Sequence, residues 1–259
     1  MKLAELTWRA AARRLSDPET VVVVPIGSTE QHGDAGPLGT DWLIPREFCR
    51  RLEAVDDKVL VTPVIPFGVA TQHMSFPGTI DLGPDVFAEV VSRVFDSLHT
   101  HGARRFVVIN GHGGNSPAIT AEGLKLYKKG ALCALIDWWS IAPSLNPDWV
   151  TGHGDAQEIS AVMAFREDLI DRDSITEGRI RPPAPDLPQT RINTVLFEGA
   201  PVKIIRDVRD TVDTGGIGGL PSCRASREWG VEMMDAMSGW INRFVARFRT
   251  LDLPTPREK

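Results

Sequence analysis

Apolar and polar positions form two recurring patterns along the chain. Short runs of consecutive apolar residues, such as VVVVPI at 21–26 and FVVI within 104–111, are typical of strands buried on both faces. Between them, longer segments place apolar residues three or four positions apart, most clearly over 83–102. Strand-like runs and helical segments alternate, which is the order of βαβ units. The pattern predicts an α/β fold with three α/β/α layers, in which helices cover both faces of a mostly parallel central sheet.

The pattern also bounds individual elements. Strands are predicted at 21–26, 58–68, 104–111 and 131–139. Helices are predicted at 41–55, 83–102, 115–130 and within 152–168, and the first of these has Asp41 as N-cap and Pro45 in its early turns. The remainder is predicted as a surface loop over 171–191, short strands at 194–199 and 202–208, a glycine-rich turn at 213–222 and a terminal amphipathic helix at 223–249. Because no linker or repeat interrupts the chain, residues 1–259 are expected to form a single domain.

Composition narrows the class of protein. Apolar residues make up 42% of the chain and charged residues 24%, which is ordinary for a water-soluble globular protein. The net charge of −5 gives no basis for binding nucleic acid or an anionic membrane surface. No apolar stretch approaches the ~20 residues that cross a bilayer, and the first fifteen residues have no continuous apolar run, so we expect no secretory signal there. Cys49, Cys133 and Cys223 have no CxxC spacing, so we expect reduced, buried thiols and a cytoplasmic protein.

Polar side chains gather where the predicted strands end. Glu30, His32 and Asp41 follow the first strand, His112 follows the third, and a further group, His153, Asp155 and Glu158, opens the next helix. Ligands bind beyond the carboxyl ends of strands in an open parallel sheet, so these side chains are expected to meet. Each alone has an ordinary structural explanation, such as a helix cap, but together they form a set of ligands for a divalent ion.

The residue types indicate a site with mixed oxygen and nitrogen ligands, suited to zinc, manganese or iron. Glu30 and His32 are two positions apart, so both project to one side of an extended segment. Asp41 has two oxygens that could bridge two ions, and His112 adds a ligand from the adjacent strand. We therefore expect one or two ions and metal-assisted hydrolysis. His73, Trp138, Trp139, Gly113 and Gly114 are the candidate substrate-binding residues.

Four motifs carry a resemblance to a known family. The stretches VPIGSTEQHG…PLGTD, FPGTIDL, NGHGGN and GHGDAQEIS, in this order, resemble the creatininase family of metal-dependent amidohydrolases over residues 5–248. The resemblance implies an α/β fold, a metal centre and a homo-oligomer, with a hexamer favoured. Carried over by position, the metal ligands would be Glu30, His32, Asp41 and His112. His153 would move a proton, and Glu158 would act beside the ions as a catalytic carboxylate or as a further ligand.

Two positions depart from the family pattern. Creatininase has a metal-binding glutamate where Gly114 stands, so creatinine is not the expected substrate, and either Glu158 takes over that coordination or the second ion binds more weakly. The usual HGPHLPLGTD reads HGDAGPLGTD, so Asp34, Ala35 and Gly36 are expected to change the mouth of the site. The sequence therefore predicts a hydrolase that cleaves a C–N bond, with a cyclic amide in a small metabolite as the expected substrate.

Other functions remain as alternatives. One is C–C cleavage of an oxidised inositol ring, which is another reaction of the family. A second is a non-catalytic metabolite-binding protein, although such a protein has no need for two carboxylates and three histidines at strand ends. A serine hydrolase is excluded because no GxSxG motif is present, and a Rossmann-type nucleotide binder because Glu-Gln-His replaces its glycine-rich turn.

Overall fold

The computed structural model describes residues 1–256, so the last three residues of the predicted domain lie outside it. Its helices, in chain order, are α1 (Trp8–Leu15), α2 (Thr40–Glu53), α3 (Gly83–Thr100), α4 (Ser116–Lys128), α5 (Trp138–Leu145), α6 (Ala156–Arg166), α7 (Val208–Thr211) and α8 (Arg227–Arg249). Its strands are β1 (Val21–Ile26), β2 (Val59–Val61), β3 (Arg105–Asn110), β4 (Leu132–Asp137), β5 (Gly152–His153), β6 (Gln189–Arg191), β7 (Thr194–Phe197), β8 (Ala200–Lys203) and β9 (Ile217–Gly218).

A four-stranded sheet in the order β2-β1-β3-β4 forms the centre of the molecule, and all of its strands are parallel. Side chains of successive β1 residues point to opposite faces. Val21 and Val23 pack with residues of α2, α6 and α8, whereas Val22 and Val24 pack with residues of α3 and α4. The predicted three-layer α/β/α architecture is therefore confirmed.

Several predicted boundaries differ from the structure for local reasons. The second strand, predicted to run into a Pro/Gly loop within 58–68, ends at Val61, because its pairing with β1 then shifts by one residue. The Thr62 N–H donates to the Val23 carbonyl oxygen, and the next bond to β1 comes from Ile65, not Val64, to the Pro25 carbonyl oxygen. The fourth strand ends at Asp137, and the two tryptophans that follow begin α5. Gly39, not Asp41, is the N-cap of α2, and Asp41 lies within its first turn.

The second half of the chain adds two small antiparallel sheets. Strands β6, β7 and β8 form one, so the strands predicted over 194–208 pair with each other and not with the central sheet. β5 pairs with β9, which lies inside the stretch predicted as a glycine-rich turn. The β5–β9 pair joins the segment that carries His153 to the glycine-rich segment.

Two further sequence-based expectations can be compared with the structure. Cys49 is buried and Cys133 is partly buried, but Cys223 is exposed, so the expectation that all three thiols are buried is wrong; all three are free. None of the helices within residues 1–256 has the length and apolar character required to span a membrane.

Candidate metal centre

Two glycines bring the first turn of α2 onto the end of the sheet. Gly27 follows β1 and Gly111 follows β3, and the backbone of Asp41 lies directly against both. A Cβ atom at Gly111 would lie 1.8 Å from the Asp41 carbonyl oxygen, and one at Gly27 would lie 2.4 Å from it. Only residues without a side chain permit this approach. The glycines therefore place the Asp41 carboxylate beside the side chains that follow β1 and β3.

The carboxylates and histidines expected at the strand ends form one cluster. His32 Nε2 lies 2.8 Å from Asp41 Oδ1 and 3.7 Å from Glu158 Oε2. His112 Nδ1 lies 3.1 Å from Glu30 Oε1 and 3.2 Å from Asp41 Oδ2. All five side chains are buried, and those of Glu30 and His32 are 0% exposed. The structure thus brings together the five residues that the resemblance suggests as ligands.

Three oxygens of this cluster are buried without a hydrogen bond among the residues that the structure describes: Glu30 Oε1, Glu30 Oε2 and Asp41 Oδ2. Histidine nitrogens lie close to them, but the contacts lack the geometry of a hydrogen bond. A buried carboxylate oxygen that accepts no hydrogen bond is strongly unfavourable unless a nearby cation, a protonated histidine or a metal ion, compensates the charge. Oxygen and imidazole ligands together suit zinc, manganese or iron, so the residues present fit a divalent ion.

Backbone carbonyls orient the two histidines of this cluster. His32 Nδ1 lies 3.0 Å from the Glu30 carbonyl oxygen, and His112 Nε2 lies 2.7 Å from the Val69 carbonyl oxygen. A carbonyl can only accept, so these ring nitrogens carry hydrogen. The opposite nitrogens, which face the carboxylates, are left available for an ion. A second hydrogen bond of this kind is typical of histidines that bind metals.

The same carboxylates attract positive charge to these rings. Burial alone would lower the pKa of His32, but the Asp41 and Glu158 carboxylates raise it to about 10. Burial also opposes protonation of His112, yet Glu30 and Asp41 raise its pKa well above the usual value. A divalent ion would satisfy the same negative potential. Binding an ion would then displace protons from both rings.

Gln31 fixes the protonation of two further histidines. Its Oε1 accepts from the backbone N–H of Gly33 at 3.0 Å, so its Nε2 must be the donor. This amide lies 2.9 Å from His73 Nδ1 and 2.8 Å from His153 Nε2. These two short contacts favour ring nitrogens that accept from Gln31, which puts the hydrogen of each neutral ring on the nitrogen nearer Glu30. The same amide also donates to the Gly215 carbonyl oxygen at 3.2 Å, and Gln72 Nε2 lies 3.4 Å from His73 Nε2.

His73 and His153 are neutral for a physical reason. Burial lowers the pKa of His73, and burial together with the nearby His73 and His32 rings lowers the pKa of His153 well below its usual value. Their N–H groups face Glu30 Oε1 at 3.3 Å for His73 Nε2 and 3.9 Å for His153 Nδ1. Their ligand atoms are nevertheless close enough to share an ion: Glu30, His73 and His153 have ligand atoms within 4.8 Å of one another, as do His32, His153 and Glu158, and also Glu30, His32 and Asp41. The backbone carbonyl contacts single out His32 and His112 as the rings with a nitrogen left available beside the carboxylates.

Glu158 lies where α6 begins. Asp155 is the N-cap of α6 and accepts from the backbone N–H groups of Gln157 and Glu158. Glu158 Oε2 accepts from the backbone N–H of Gly154 at 2.7 Å. Burial raises the pKa of Glu158 to about 7, with His32 opposing and Asp41 reinforcing the shift. Its carboxyl group can therefore exchange a proton near neutral pH or bind an ion.

A cavity of about 220 Å³ opens beside the cluster, and its lining includes Asp41, His112, His153 and Glu158. The predicted substrate-binding residues His73, Gly113, Gly114 and Trp139 also line it. Trp138, expected at the same wall, is fully buried in the core, where its ring packs on Phe48. The two tryptophans point in different directions because they open a helix, in which neighbouring side chains diverge by about 100°.

The two departures from the family pattern lie at different places, one against His112 in the metal cluster and one beside a neighbouring cavity. A Cβ atom at Gly114 would lie 2.3 Å from the Val69 carbonyl oxygen and 2.6 Å from His112 Nε2. In this backbone conformation, a glutamate at that position would clash with the carbonyl that orients His112. Asp34 and Ala35, expected at the mouth of the site, line a neighbouring cavity of about 280 Å³.

Sequence reasoning missed three residues of the site. Gln31 stands between two expected ligands, so strand alternation would direct it away from them. Arg191 and Asn193 line the cavity from the β6–β7 turn, more than 30 positions from the motifs. The loop prediction for 171–191 carried no signal that this turn returns to the metal cluster.

Comparisons with known proteins agree with this geometry. A profile of the creatininase family, described as creatinine amidohydrolase, matches residues 4–245. The creatinine amidohydrolase of Pseudomonas putida is 31% identical over 205 residues, which cover 70% of this chain and 77% of that protein. The mycofactocin precursor peptide peptidase of Mycobacterium ulcerans (strain Agy99) is 31% identical over 194 residues, covering 72% and 74%.

The fold matches solved creatininase structures over nearly its whole length. A structure titled "Creatininase Mn" superposes with a TM-score of 0.75 and 26% identity, and the match covers 96% of this chain and 99% of that one. Its parallel sheet with flanking helices is therefore shared with the structure described here.

Proposed function

The chain belongs to the creatininase family, and we propose that it is a metal-dependent hydrolase that cleaves a C–N amide bond in a small cyclic metabolite. One observation carries the proposal. Three carboxylate oxygens of Glu30 and Asp41 are buried without a hydrogen bond, beside ring nitrogens of His32 and His112 that backbone carbonyls leave available. This arrangement fits a bound cation better than it fits a structural ion pair.

The cation would be held by Glu30, His32, Asp41 and His112, with Glu158 as a further ligand. Zinc, manganese and iron suit this set, and Asp41 has an oxygen for each of two ions. When bound, a divalent ion polarises an amide carbonyl and lowers the pKa of a coordinated water, which are the two requirements of amide hydrolysis.

The remaining residues supply proton transfer. His153 lines the cavity and is neutral, and Gln31 holds its hydrogen on Nδ1. A neutral ring cannot release its single N–H proton near neutral pH, so His153 Nδ1 would donate a hydrogen bond to the bound substrate. Glu158, with a pKa of about 7, would accept the proton that the attacking water loses and return it to the leaving nitrogen of the amide.

The size of the cavity supports a small substrate. Its volume is about 220 Å³. Drug-sized ligands fill pockets of roughly 300–1,000 Å³, so a compact ring fits better than an extended chain.

Peptide cleavage is the second candidate function. It is favoured by the 31% identity to the mycofactocin precursor peptide peptidase of Mycobacterium ulcerans, which covers 72% of this chain. Both candidates break a C–N amide bond and use the same cluster. A hydrolysis screen that includes lactams, hydantoins, formamides, inososes and short peptides separates them, and it also tests C–C cleavage.

The experiment combines metal content with hydrolysis. Glu30→Gln and His112→Ala should each abolish bound metal, measured by elemental analysis, and hydrolysis of any substrate found in the screen. Glu122→Gln is the matched control, because Glu122 is also buried but lies on α4 and pairs with Lys125. Full activity of a metal-free protein would overturn the proposal.

The assembly and location of the protein are also proposals. The resemblance suggests a homo-oligomer, with a hexamer favoured, and the free cysteines are consistent with a cytoplasmic protein. Light scattering of the purified protein tests the first of these, and a hexamer should have a mass of about six times 28.4 kDa.

A further inference from the structure

Arg191 is a permanent cation at the edge of the catalytic cavity. Among the described residues that line this cavity, it is the one arginine or lysine. Its guanidinium takes part in none of the ion pairs found within residues 1–256, whereas Arg51 and Arg166 each pair with an aspartate. The side chain is exposed, so it is accessible to a molecule that enters the cavity.

The backbone that carries Arg191 is held in place by side-chain hydrogen bonds. Gln189 is buried, and its Nε2 donates to the carbonyl oxygens of Arg191 and Ile192 at 3.0 and 2.7 Å. Asn193 Nδ2 donates to Gln72 Oε1 at 2.8 Å, which ties the turn to the segment that carries His73. The register between β6 and β7 shifts at this point, and such irregularities redirect side chains.

The charged residues that line the cavity fall into two groups. The carboxylates of Asp41 and Glu158 belong to the metal cluster, where bound ions would compensate them. Arg191 is the last residue of β6 and does not belong to that cluster, and no acidic residue is among the other described residues that line the cavity. A guanidinium binds a carboxylate through two parallel, charge-assisted hydrogen bonds, which are stronger than its hydrogen bonds to a neutral acceptor.

We propose that the substrate carries a carboxylate group, separate from the amide that is cleaved, and that Arg191 binds this carboxylate. The inference rests on the proposed amide hydrolysis and specifies its substrate class. The amide would lie at the metal cluster and the carboxylate at the turn. Substrates with a carboxylate would then be preferred over neutral rings of the same shape.

Matched pairs of cyclic amides test this preference during hydrolysis. Suitable pairs are 5-oxoproline with 2-pyrrolidinone and dihydroorotate with dihydrouracil, because the members differ in the carboxylate. For a pair that is turned over, Arg191→Gln should lower kcat/KM for the acid about 10- to 100-fold, mainly through KM, and change the neutral amide less than about threefold. Arg191→Lys should retain part of the preference, since it keeps the charge without the planar fork.

A binding measurement tests the role of Arg191 independently of hydrolysis. The manganese-loaded protein is titrated calorimetrically with dicarboxylates from malonate to adipate, and each is compared with the monocarboxylate of the same chain length. At least one dicarboxylate should bind about tenfold tighter than its partner. Arg191→Gln should remove this difference, whereas Arg13→Gln, an equal change of charge on α1, should retain it.

The outcomes separate the two proposals. If no amide is hydrolysed but the dicarboxylate preference depends on Arg191, the anion site stands and the proposed function fails. If amides are hydrolysed but acids and neutral rings react equally, or Arg191→Gln affects both members of a pair alike, the anion site is overturned. It is also overturned if the dicarboxylate preference is missing or survives Arg191→Gln.

Discussion

Replacing Gln31 with leucine should reduce turnover without loosening the metal. The amide of Gln31 accepts from Gly33 and donates to His73 and His153, at 3.0, 2.9 and 2.8 Å. Leucine has a similar volume but can make none of these hydrogen bonds. His153 would then be free to carry its hydrogen on either nitrogen, and only one of these forms presents the proton toward the metal cluster.

The expected magnitudes follow from these contacts. Three lost hydrogen bonds at about 0.5–1.5 kcal/mol each should lower the free energy of unfolding by about 1.5–4.5 kcal/mol. The hydrogen bond from Gln31 favours the His153 tautomer with its hydrogen on Nδ1. If losing this preference raises the activation free energy by about 1.4 kcal/mol or more, kcat should fall about 10- to 100-fold. Metal affinity should change less than about threefold, since His32 and His112 keep their carbonyl partners.

Gln157→Leu provides the matched control. Gln157 is a fully buried glutamine on α6 whose amide donates to the carbonyl oxygens of Trp139 and Trp149. Its loss should reduce stability by about 1–3 kcal/mol with a much smaller effect on kcat. Denaturant unfolding of the metal-free proteins, calorimetric metal titration and kcat at saturating metal give the three readouts. The reasoning is refuted if Gln31→Leu leaves kcat unchanged, or if it weakens metal binding more than about tenfold.

Three other properties should follow from the geometry of the site. Gly114→Ala should displace His112 or the Val69 carbonyl, because the added methyl group would clash with both. Metal affinity should fall, and the free energy of unfolding should fall by about 1–3 kcal/mol. A metal titration identical to that of the unaltered protein would contradict the clash. Metal affinity should rise about tenfold or more per pH unit between pH 7 and 9, because the ion displaces the proton that His32 holds with a pKa of about 10; calorimetry that detects no proton release would contradict this. Asp155→Ala removes the cap of α6 and should lower the free energy of unfolding by about 0.5–2 kcal/mol, measured by denaturant titration, and an unchanged midpoint would argue against the cap.

The central part of the fold could be predicted because its strands and helices follow from patterns within short segments of the sequence. The six apolar residues of β1 define a strand buried on both faces, and the predicted bounds of 21–26 match the structure. The helical period of 83–102 likewise predicted α3 to within two residues. β2 is shorter than predicted because its pairing with β1 shifts by one residue between Thr62 and Ile65, and the apolar pattern of 58–68 does not record such a shift.

The metal cluster could be located for a related reason. Parallel strands place their carboxyl ends at one edge, so residues that follow different strands meet there. The positions of three residues could not be predicted in this way: Gln31, Arg191 and Trp138. They depend on contacts between distant segments, and the hydrophobic periodicity of the sequence carries no information about such contacts. The hydrogen bonds from Gln31 to His73 and His153 span 42 and 122 positions, and the position of Arg191 follows from how the β6–β7 turn packs on the cavity.

The location of a bound ion tests the central claim most directly. Crystals of the manganese-loaded protein, measured at the manganese absorption edge, should show anomalous density at about 2.0–2.3 Å from oxygens of Glu30 and Asp41 and from ring nitrogens of His32 or His112. The account is contradicted if no anomalous density lies within this cluster, or if the density is coordinated by His73 and His153 in place of His32 and His112.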